Sequence, residues 1–474
     1  NITGKSGLDL YVPQLSVNVY KQTAGWSEFN IHGTDVMPDN IVIQSDYKLN
    51  WPDSLSMDYK PNVDIWYSTN SSYYYDYDYT FGSLSVNGNS TLSARQFSMI
   101  YDPDIDMQRG SYYDSNSSRY RYYRTSYASL VNNATVRADN VTISLWPRAN
   151  DWDFLSLPFD IKVSDIRLAY EDTPFVIRKY DGQKRADGLT GETWVDMTAD
   201  SILHAGEGYI WRSASTNSSR NYTGFYLDAL QTVNKNNIFA NDDIEVILSY
   251  YESEFEHNRS WNFVGNPYPC FYDIRAMQTS APITVWDKYN SSYEAFSPQD
   301  DAYILNPGQA FFVQRPVDEE SITFLKEGRQ TNTTVRDIEY NNGSRARAQL
   351  TQRSVFNLNL SSSDGQGDRT RFVINPAATL QYESARDASK FQSIEQPAVQ
   401  LYTIEGDVRY AINERPFGDG IITLGMQIAS EGFYTFILDT KAEAEVYLID
   451  HLTGIEVRLD GNAEGYTFQS EAGT

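Results

Sequence analysis

Two stretches of the chain, "WDFLSLPFDIKVSDI" from Trp152 and "WNFVGNPYPCFYDI" from Trp261, follow one pattern. It is W-[DN]-F-[LV]-[SG]-x-P-[FY], running on to Asp-Ile. The likeness extends to both sides. "VTISLW" from Val141 answers "IEVILSYY" from Ile244, "FVIRKYDG" from Phe175 answers "ITVWDKYN" from Ile283, and "LHAGEGYIWRS" from Leu203 answers "LNPGQAFFVQRP" from Leu305. Matched elements in one order mark an internal duplication. Each copy reads as short strands with turn residues between them and no helical period, the pattern of a sandwich or jelly-roll sheet. In the second copy, Trp261, Phe263 and Val264 end a core-facing strand and Gly265 and Asn266 turn the chain. The prolines then stop further pairing because they lack an amide donor. Cys270 has no counterpart in the first copy, so the motif reads as a structural corner used twice.

The remaining segments place the chain in the all-β class, as an elongated multi-domain array of β-sandwich or jelly-roll modules. Residues 1–139 hold alternating runs with small residues and Asn at corners, which points to an N-terminal solenoid-like or flat β region. The two repeats span 140–238 and 239–330, a linker rich in Asn, Arg and Ser spans 331–353, and strands at short, even spacing make 354–474 a C-terminal β-sandwich. "SARDASKF" from Ser384 is the best candidate for a short helix.

Aromatic residues make up 14% of the chain, led by 36 Tyr, which favours pleated surfaces. The formal net charge of −25 repels nucleic acid and anionic membranes alike. No apolar run approaches the ~18 residues of a membrane helix, so direct membrane insertion is not expected. A single cysteine excludes an intrachain disulfide and a Cys-based zinc site. A start at Asn1 rather than Met points to a processed N-terminus. Asn-x-Ser/Thr sequons stand at Asn1, Asn70, Asn89, Asn116, Asn133, Asn140, Asn217, Asn221, Asn258, Asn290, Asn332, Asn342 and Asn359. They fit either a Ser/Thr/Asn-rich loop composition or a glycosylated extracellular surface.

"WNFVGNPYP", "ILNPGQAFFVQ", "TRFVINPAA", "YESARDASKF", "LYTIEGDVRYAINERP" and the closing "VYLIDHLTGIEVRLDGNAEGYTFQSEAGT" carry a resemblance. They resemble the C-terminal β-sandwich region of large secreted and cell-surface, adhesin-like proteins of the Bacteroidota, over roughly residues 140–474. The resemblance implies a surface architecture and no catalytic residues. Two departures stand out. Cys270 occupies a place where such proteins carry a small polar residue, and they continue past Thr474 into another strand. That leaves a removed tail or a strand supplied by a partner as the expected way to close the sheet.

Few residues point to chemistry. A nucleophilic Cys270 needs an adjacent base, and the four histidines, His32, His204, His257 and His451, are scattered along the chain. A buried structural cysteine is the expectation. Asp102, Asp104 and Asp106 alternate in "YDPDIDMQRG", but an EF-hand calcium loop wants Gly and Glu where this chain has Met107 and Tyr113. A looser structural-calcium site on these carboxylates stays open, with "NDDIE" and "PQDDAY" as weaker ones. No other cofactor is implied. Carboxylate pairs for glycoside hydrolysis are uninformative in so acidic a chain. The tyrosine tracts are more distinctive: Tyr73, Tyr74, Tyr75, Tyr77 and Tyr79 in an acidic run, and Arg119, Tyr120, Arg121, Tyr122, Tyr123 and Arg124 in a basic one. Either they are exposed strands and loops, or they form a contact surface, since Tyr and Arg dominate interface hot spots.

The expectation is therefore a non-enzymatic, extracellular surface protein acting by display and contact, as an adhesin or a filament or surface-layer subunit. Its expected partners are further copies of itself or other surface proteins. The alternative is a carbohydrate-binding or glycan-processing surface protein.

Overall fold

Like residues stack on like in the N-terminal region, where parallel strands lie in register. The computed structural model describes residues 8–13, 17–22, 24–34, 40–43, 48–50, 54–57, 78–81, 83–86, 91–101, 111–114, 119–122, 128–133, 135–171, 173–215, 223–230, 239–288, 290–337, 353–363, 365–391 and 399–471. Strands β1 (Asn40–Ile43), β2 (Ser54–Met57), β3 (Asp78–Phe81), β4 (Ser83–Val86) and β5 (Thr91–Tyr101) precede a ribbon of β6 (Ser111–Asp114) and β7 (Arg119–Tyr122). β8 (Ser129–Asn132) and β9 (Thr135–Leu145) follow. β1, β4 and β8 form one parallel sheet, and β3, β2, β5 and β9 lie in order within a second. The chain passes between the two sheets from β1 to β2, β4 to β5 and β8 to β9, so each pass is one rung of a solenoid. The register sets Thr135 beside Thr91, Ile143 beside Met99 and Leu145 beside Tyr101. Met99, Tyr101, Leu130, Val136, Ile143 and Leu145 are all buried. Of the two expectations for this region, the solenoid is the one observed.

The solenoid runs into the first repeat without a break in the sheet. β9 pairs on one edge with β5 in parallel, and on the other with antiparallel β14 (below), so both units share one core. The first repeat contains β10 (Trp152–Ser156), β11 (Phe175–Tyr180), β12 (Trp194–Asp196), β13 (Gly208–Ser213) and β14 (Phe225–Asp228). The second contains β15 (Ile244–Ile247), β16 (Trp261–Gly265), β17 (Phe271–Asp273), β18 (Ile283–Asp287), β19 (Ser292–Phe296), β20 (Ala310–Gln314) and β21 (Ser321–Phe324). Each has a four-stranded sheet of one order: β10-β13-β11-β12 in the first repeat, β16-β20-β18-β19 in the second.

These two sheets face each other across a single aromatic core. Phe154 meets Phe263 edge-on at 5.0 Å between ring centres, with Trp286, Tyr293 and Phe312 also around it. Tyr180 and Trp194 from the first repeat pack on Phe312 and Phe263 of the second. All of β16 is buried because both its faces are covered. Trp261 and Phe263 enter the shared core, and Val264 enters the separate core of the second repeat. At about 1.5–3 kcal/mol for each large apolar side chain removed from water, this layer binds the repeats into one body. The boundary between 140–238 and 239–330 therefore lies in the chain and not in the core.

At the centre the equivalents exchange bonds. The Ser156 amide donates to the Gly308 carbonyl at 2.7 Å, and the Gly265 amide donates to the Gly206 carbonyl at 3.0 Å. Gly206 and Gly308 hold the same place in the two repeats and share a left-handed φ, 75° and 72°. A Cβ on Gly265 would stand 2.3 Å from Ser156 Cβ, so the variable [SG] position of the motif is where the two backbones approach most closely. This exchange is the mark of a two-fold relation between copies.

The C-terminal unit contains β22 (Ser354–Ser362), β23 (Gly367–Ile374), β24 (Ala388–Ser389), β25 (Val399–Glu405), β26 (Val408–Arg415), β27 (Thr423–Ile428), β28 (Gly432–Thr440), β29 (Tyr447–Asp450), β30 (Ile455–Arg458) and β31 (Tyr466–Ser470). Its main sheet runs β27-β25-β26-β23-β22-β28-β31, with β24 also on β26. The sheet closes over Leu358, Leu360, Val399, Leu401, Tyr434 and Phe436. One expectation fails here. "SARDASKF" is not a helix but a turn leading into β24. Asp387 draws the chain out of helical geometry, because its carboxylate accepts from the Glu383 and Glu414 amides, both at 2.8 Å.

Candidate functional site: the joint between the second repeat and the C-terminal sandwich

The residues that most constrain this molecule's behaviour lie where the C-terminal sandwich meets the repeats. Arg185, in the short helix Gly182–Ala186 of the first repeat, is the first of them. Its guanidinium stands 4.7 Å from the Trp261 ring centre and 4.2 Å from that of Phe391. Its Nη2 donates to Ser389 Oγ, so one cation ties together both repeats and the sandwich. Phe391, at the end of the "YESARDASKF" motif, packs on Trp261, Tyr293 and Phe312 in the shared core. Tyr382 of the same motif donates its hydroxyl to Gln314 Oε1 at 2.6 Å.

Around this aromatic plug lies a buried ionic network. Arg371, 2% exposed, reaches Asp301 at 2.5 Å with Nη2 and at 2.8 Å with Nη1. Arg353 bridges Asp300 at 2.9 Å and Glu414 at 2.5 Å. Arg369 joins Glu294 at 3.1 Å and Asp301 at 3.5 Å. Lys390 and Asp368 form a further pair, almost wholly excluded from water. Burial raises the Glu294 carboxyl above its ordinary value against the pull of Arg369. Burial likewise pushes Asp387 up to about 8, although two backbone donors favour its charged form. The Asp300 and Asp301 carboxylates of "PQDDAY" are thus partners of arginines.

The sequence-derived candidates fall elsewhere. Tyr73, Tyr74, Tyr75, Tyr77, Tyr123 and Arg124 lie outside the described residues, as do Asp102, Asp104 and Asp106. Tyr79 falls in β3, while Arg119, Tyr120, Arg121 and Tyr122 make up β7. There the register opposes Arg119 to Asp114 and Tyr120 to Tyr113 in a two-stranded ribbon inserted between the solenoid strands β5 and β8. Among the described residues, no group of three or more His, Cys, Asp or Glu could hold a metal ion. Among the same residues, no helix is long and apolar enough to cross a membrane. Cys270 is fully buried, and burial pushes its thiol up to about 12. His32 pairs with Asp9 and His204 with Asp160, each in a different unit.

Of the sequon asparagines, Asn133, Asn140 and Asn332 are exposed and Asn258, Asn290 and Asn359 are half-buried. Asn1, Asn70, Asn89, Asn116, Asn217, Asn221 and Asn342 lie outside the described residues. The Asn290 amide points inward, with Nδ2 on Asp287 Oδ2 at 2.6 Å and Oδ1 accepting from the Gly367 amide at 2.9 Å.

Sequence reasoning missed the joint. Its arginines carry no local signal and "PQDDAY" reads only as a weak calcium candidate, so the one available pointer is the motif ending in Phe391. A family model described as a domain of unknown function (DUF8693) matches residues 271–474. The match begins inside the second repeat and so carries both sides of the ionic network. Comparison with curated proteins gave no match, and comparison with solved structures gave none either.

Proposed function

We propose that this chain is an extracellular surface protein that acts by display and protein–protein contact, as an adhesive or structural subunit of a filament or surface layer. One observation carries the reading. Solenoid, repeats and sandwich are joined through shared sheets, a shared aromatic core and buried ion pairs, with no open linker between solenoid and repeats. Inter-domain contacts within a chain are ordinarily small and polar and leave the domains free to move. Joints buried as deeply as these hold the units at fixed angles, which suits a strut or spacer. The resemblance to adhesin-like surface proteins supports the same reading, and the basic ribbon that includes β7 is the contact surface it assigns.

Negative-stain microscopy of the native material tests it, with regular polymers or lattices as the expected result. The triple variant Arg119→Ser, Arg121→Ser, Arg124→Ser should weaken assembly or adhesion without changing the fold. Saturable binding of a defined sugar on a glycan array, from a protein that stays monomeric at all concentrations, would overturn it.

A further inference from the structure

Among the buried pairs of the joint, Lys390 and Asp368 differ in geometry from the rest. Their side chains are 3% and 1% exposed. Lys390 Nζ stands 2.6 Å from Asp368 Oδ1 and 2.6 Å from Oδ2, so the nitrogen bisects the carboxyl group and faces its carbon. Nothing about the pair is loose. Lys390 follows β24 directly, its backbone amide donates to the Arg409 carbonyl, and its Nζ also donates to the Tyr293 carbonyl at 3.2 Å. Asp368 is held by two backbone amides, Leu401 N–H on Oδ2 at 2.7 Å and Arg369 N–H on Oδ1 at 2.8 Å. A third ionisable group stands by. Glu294 follows Tyr293, whose carbonyl holds Lys390 Nζ, and its carboxyl pairs at 3.1 Å with Arg369, the residue after Asp368.

We propose that Lys390 and Asp368 close an intramolecular isopeptide bond, with Glu294 as the proton shuttle. A charged pair removed from water gains little from its charges, and moving one proton from ammonium to carboxylate leaves a neutral amine facing a carboxylic acid. The Nζ lone pair then attacks Asp368 Cγ and a C–N bond forms. Oδ2 develops as the oxyanion against the Leu401 amide that already holds it, a donor placed as an oxyanion hole requires, and Oδ1 is the hydroxyl that leaves. Glu294 takes one proton from the nitrogen and delivers it to the departing hydroxyl. The C–O bond breaks and one water leaves, so amine and acid become amide and water with no oxidant, reductant or cofactor. Fixed proximity supplies the driving force for the encounter, since well-oriented intramolecular partners reach effective concentrations of roughly 10⁵ M and above. The aromatic plug at Phe391 and Tyr293 keeps bulk water from reversing the step. The product would staple β23 to the segment that follows β24, as a covalent closure beside the joint. This inference stands apart from the proposed surface role, because it concerns the chain's own covalent structure.

Mass spectrometry of the full chain, denatured and treated to remove any glycans, tests it. The expected mass is one water below that of the sequence, and digestion should give one branched peptide joining Lys390 to Asp368. A mass equal to the sequence, with separate linear peptides carrying Lys390 and Asp368, overturns the proposal. Lys390→Arg and Asp368→Ala should each restore the full mass. Glu294→Gln keeps the pair and the fold, checked by circular dichroism, and should slow closure by about 10²-fold or more. Closure in that variant at the parental rate would overturn the role assigned to Glu294.

Discussion

The two joints of this molecule are built from opposite materials. Between the repeats the contact is aromatic, with Phe154, Tyr180 and Trp194 set against Phe263, Trp286 and Phe312, and backbone bonds exchanged at its centre. Between the second repeat and the C-terminal sandwich it is largely charged, with Arg353, Arg369 and Arg371, braced by Glu414 of the sandwich, set against Asp300, Asp301 and Glu294. Both bury most of their contact, yet they respond to different insults. An aromatic layer stabilises through area and shape, so it is indifferent to pH and loses strength in proportion to what is cut away. A buried ionic layer contributes little net stability while intact, but removing one partner strands the other without solvent. The first joint resists conditions, and the second makes the angle between units depend on every member being present.

The largest loss should come from the aromatic joint. Phe154 touches rings from four strands of the second repeat, and Phe154→Ala leaves a cavity none of them can fill. We expect about 3–5 kcal/mol lost in urea unfolding. The charged joint should follow closely. Arg371→Leu takes both guanidinium contacts from Asp301, leaving it the Ser297 amide at 2.7 Å and the longer contact to Arg369, and should cost about 3 kcal/mol. The comparison turns on rescue. Adding Asp301→Leu should restore most of the stability lost in Arg371→Leu, whereas no second truncation in the aromatic core should rescue Phe154→Ala. Failure of the charged rescue would mean that the two joints are alike.

A titration separates them without removing a contact. Burial lifts the Asp387 carboxyl to about 8, and the nearby Glu383 and Glu414 carboxylates add to the lift. An unfolded aspartate titrates near pH ~4. Between those values the folded chain keeps a proton that the unfolded chain has lost. The stability this group contributes therefore falls as pH rises from about 4 to about 8, and is flat on either side. Hydrogen-exchange protection at the β24–β26 pairing, corrected for the intrinsic rise of amide exchange with pH, should fall across that window while protection at β16 and β20 stays constant. Asp387→Asn should abolish the difference, and an unchanged profile in that variant would count against the assignment.

The aromatic joint was half-legible in the sequence and the charged one hardly at all. The duplication could be read because Trp, Phe and Pro keep fixed spacing in both copies, and the corner at Gly265 followed from turn chemistry. "WNFVG" and "AFFVQ" are apolar at both parities, which signals a strand covered on both faces, but nothing local says that the second cover is the other copy. The solenoid showed through its small residues and asparagines at corners. Arg371 and Asp301 are far apart in the chain; Arg371 alone carries no signal, and Asp301 in "PQDDAY" reads only as a weak calcium candidate. "SARDASKF" stands out in the sequence as the best candidate for a short helix. Asp387 instead spends its oxygens on two amides that a helix would not present to it.

A smaller effect should mark the centre of the aromatic joint. Gly265→Ala would put a methyl group 2.3 Å from Ser156 Cβ and 2.7 Å from the Gln309 carbonyl, so the two sheets must part slightly. We expect a loss of about 1–3 kcal/mol. Ser156→Gly in the same chain should recover part of it by making the axis equally small on the other side. An effect no larger than that of an exposed Gly→Ala change would mean that the sheets do not approach as closely as the exchanged bonds require.

The smallest effect sharpens the comparison most, because it holds the chemistry constant and varies only solvent. Arg458 in β30 meets Asp460 at 2.7 Å and Glu445 at 2.9 Å, contacts within 0.2 Å of those of Arg371 in the joint. Its side chain is 49% exposed against 2% for Arg371. In water both partners of the surface pair recover their solvation when the bond breaks, and dissolved salt screens what attraction remains. Arg458→Ala should therefore leave the urea midpoint unmoved at physiological salt, whereas Arg371→Leu shifts it. A loss in Arg458→Ala comparable to that in Arg371→Leu would show that bond geometry, and not removal from water, sets what an ion pair does in this chain.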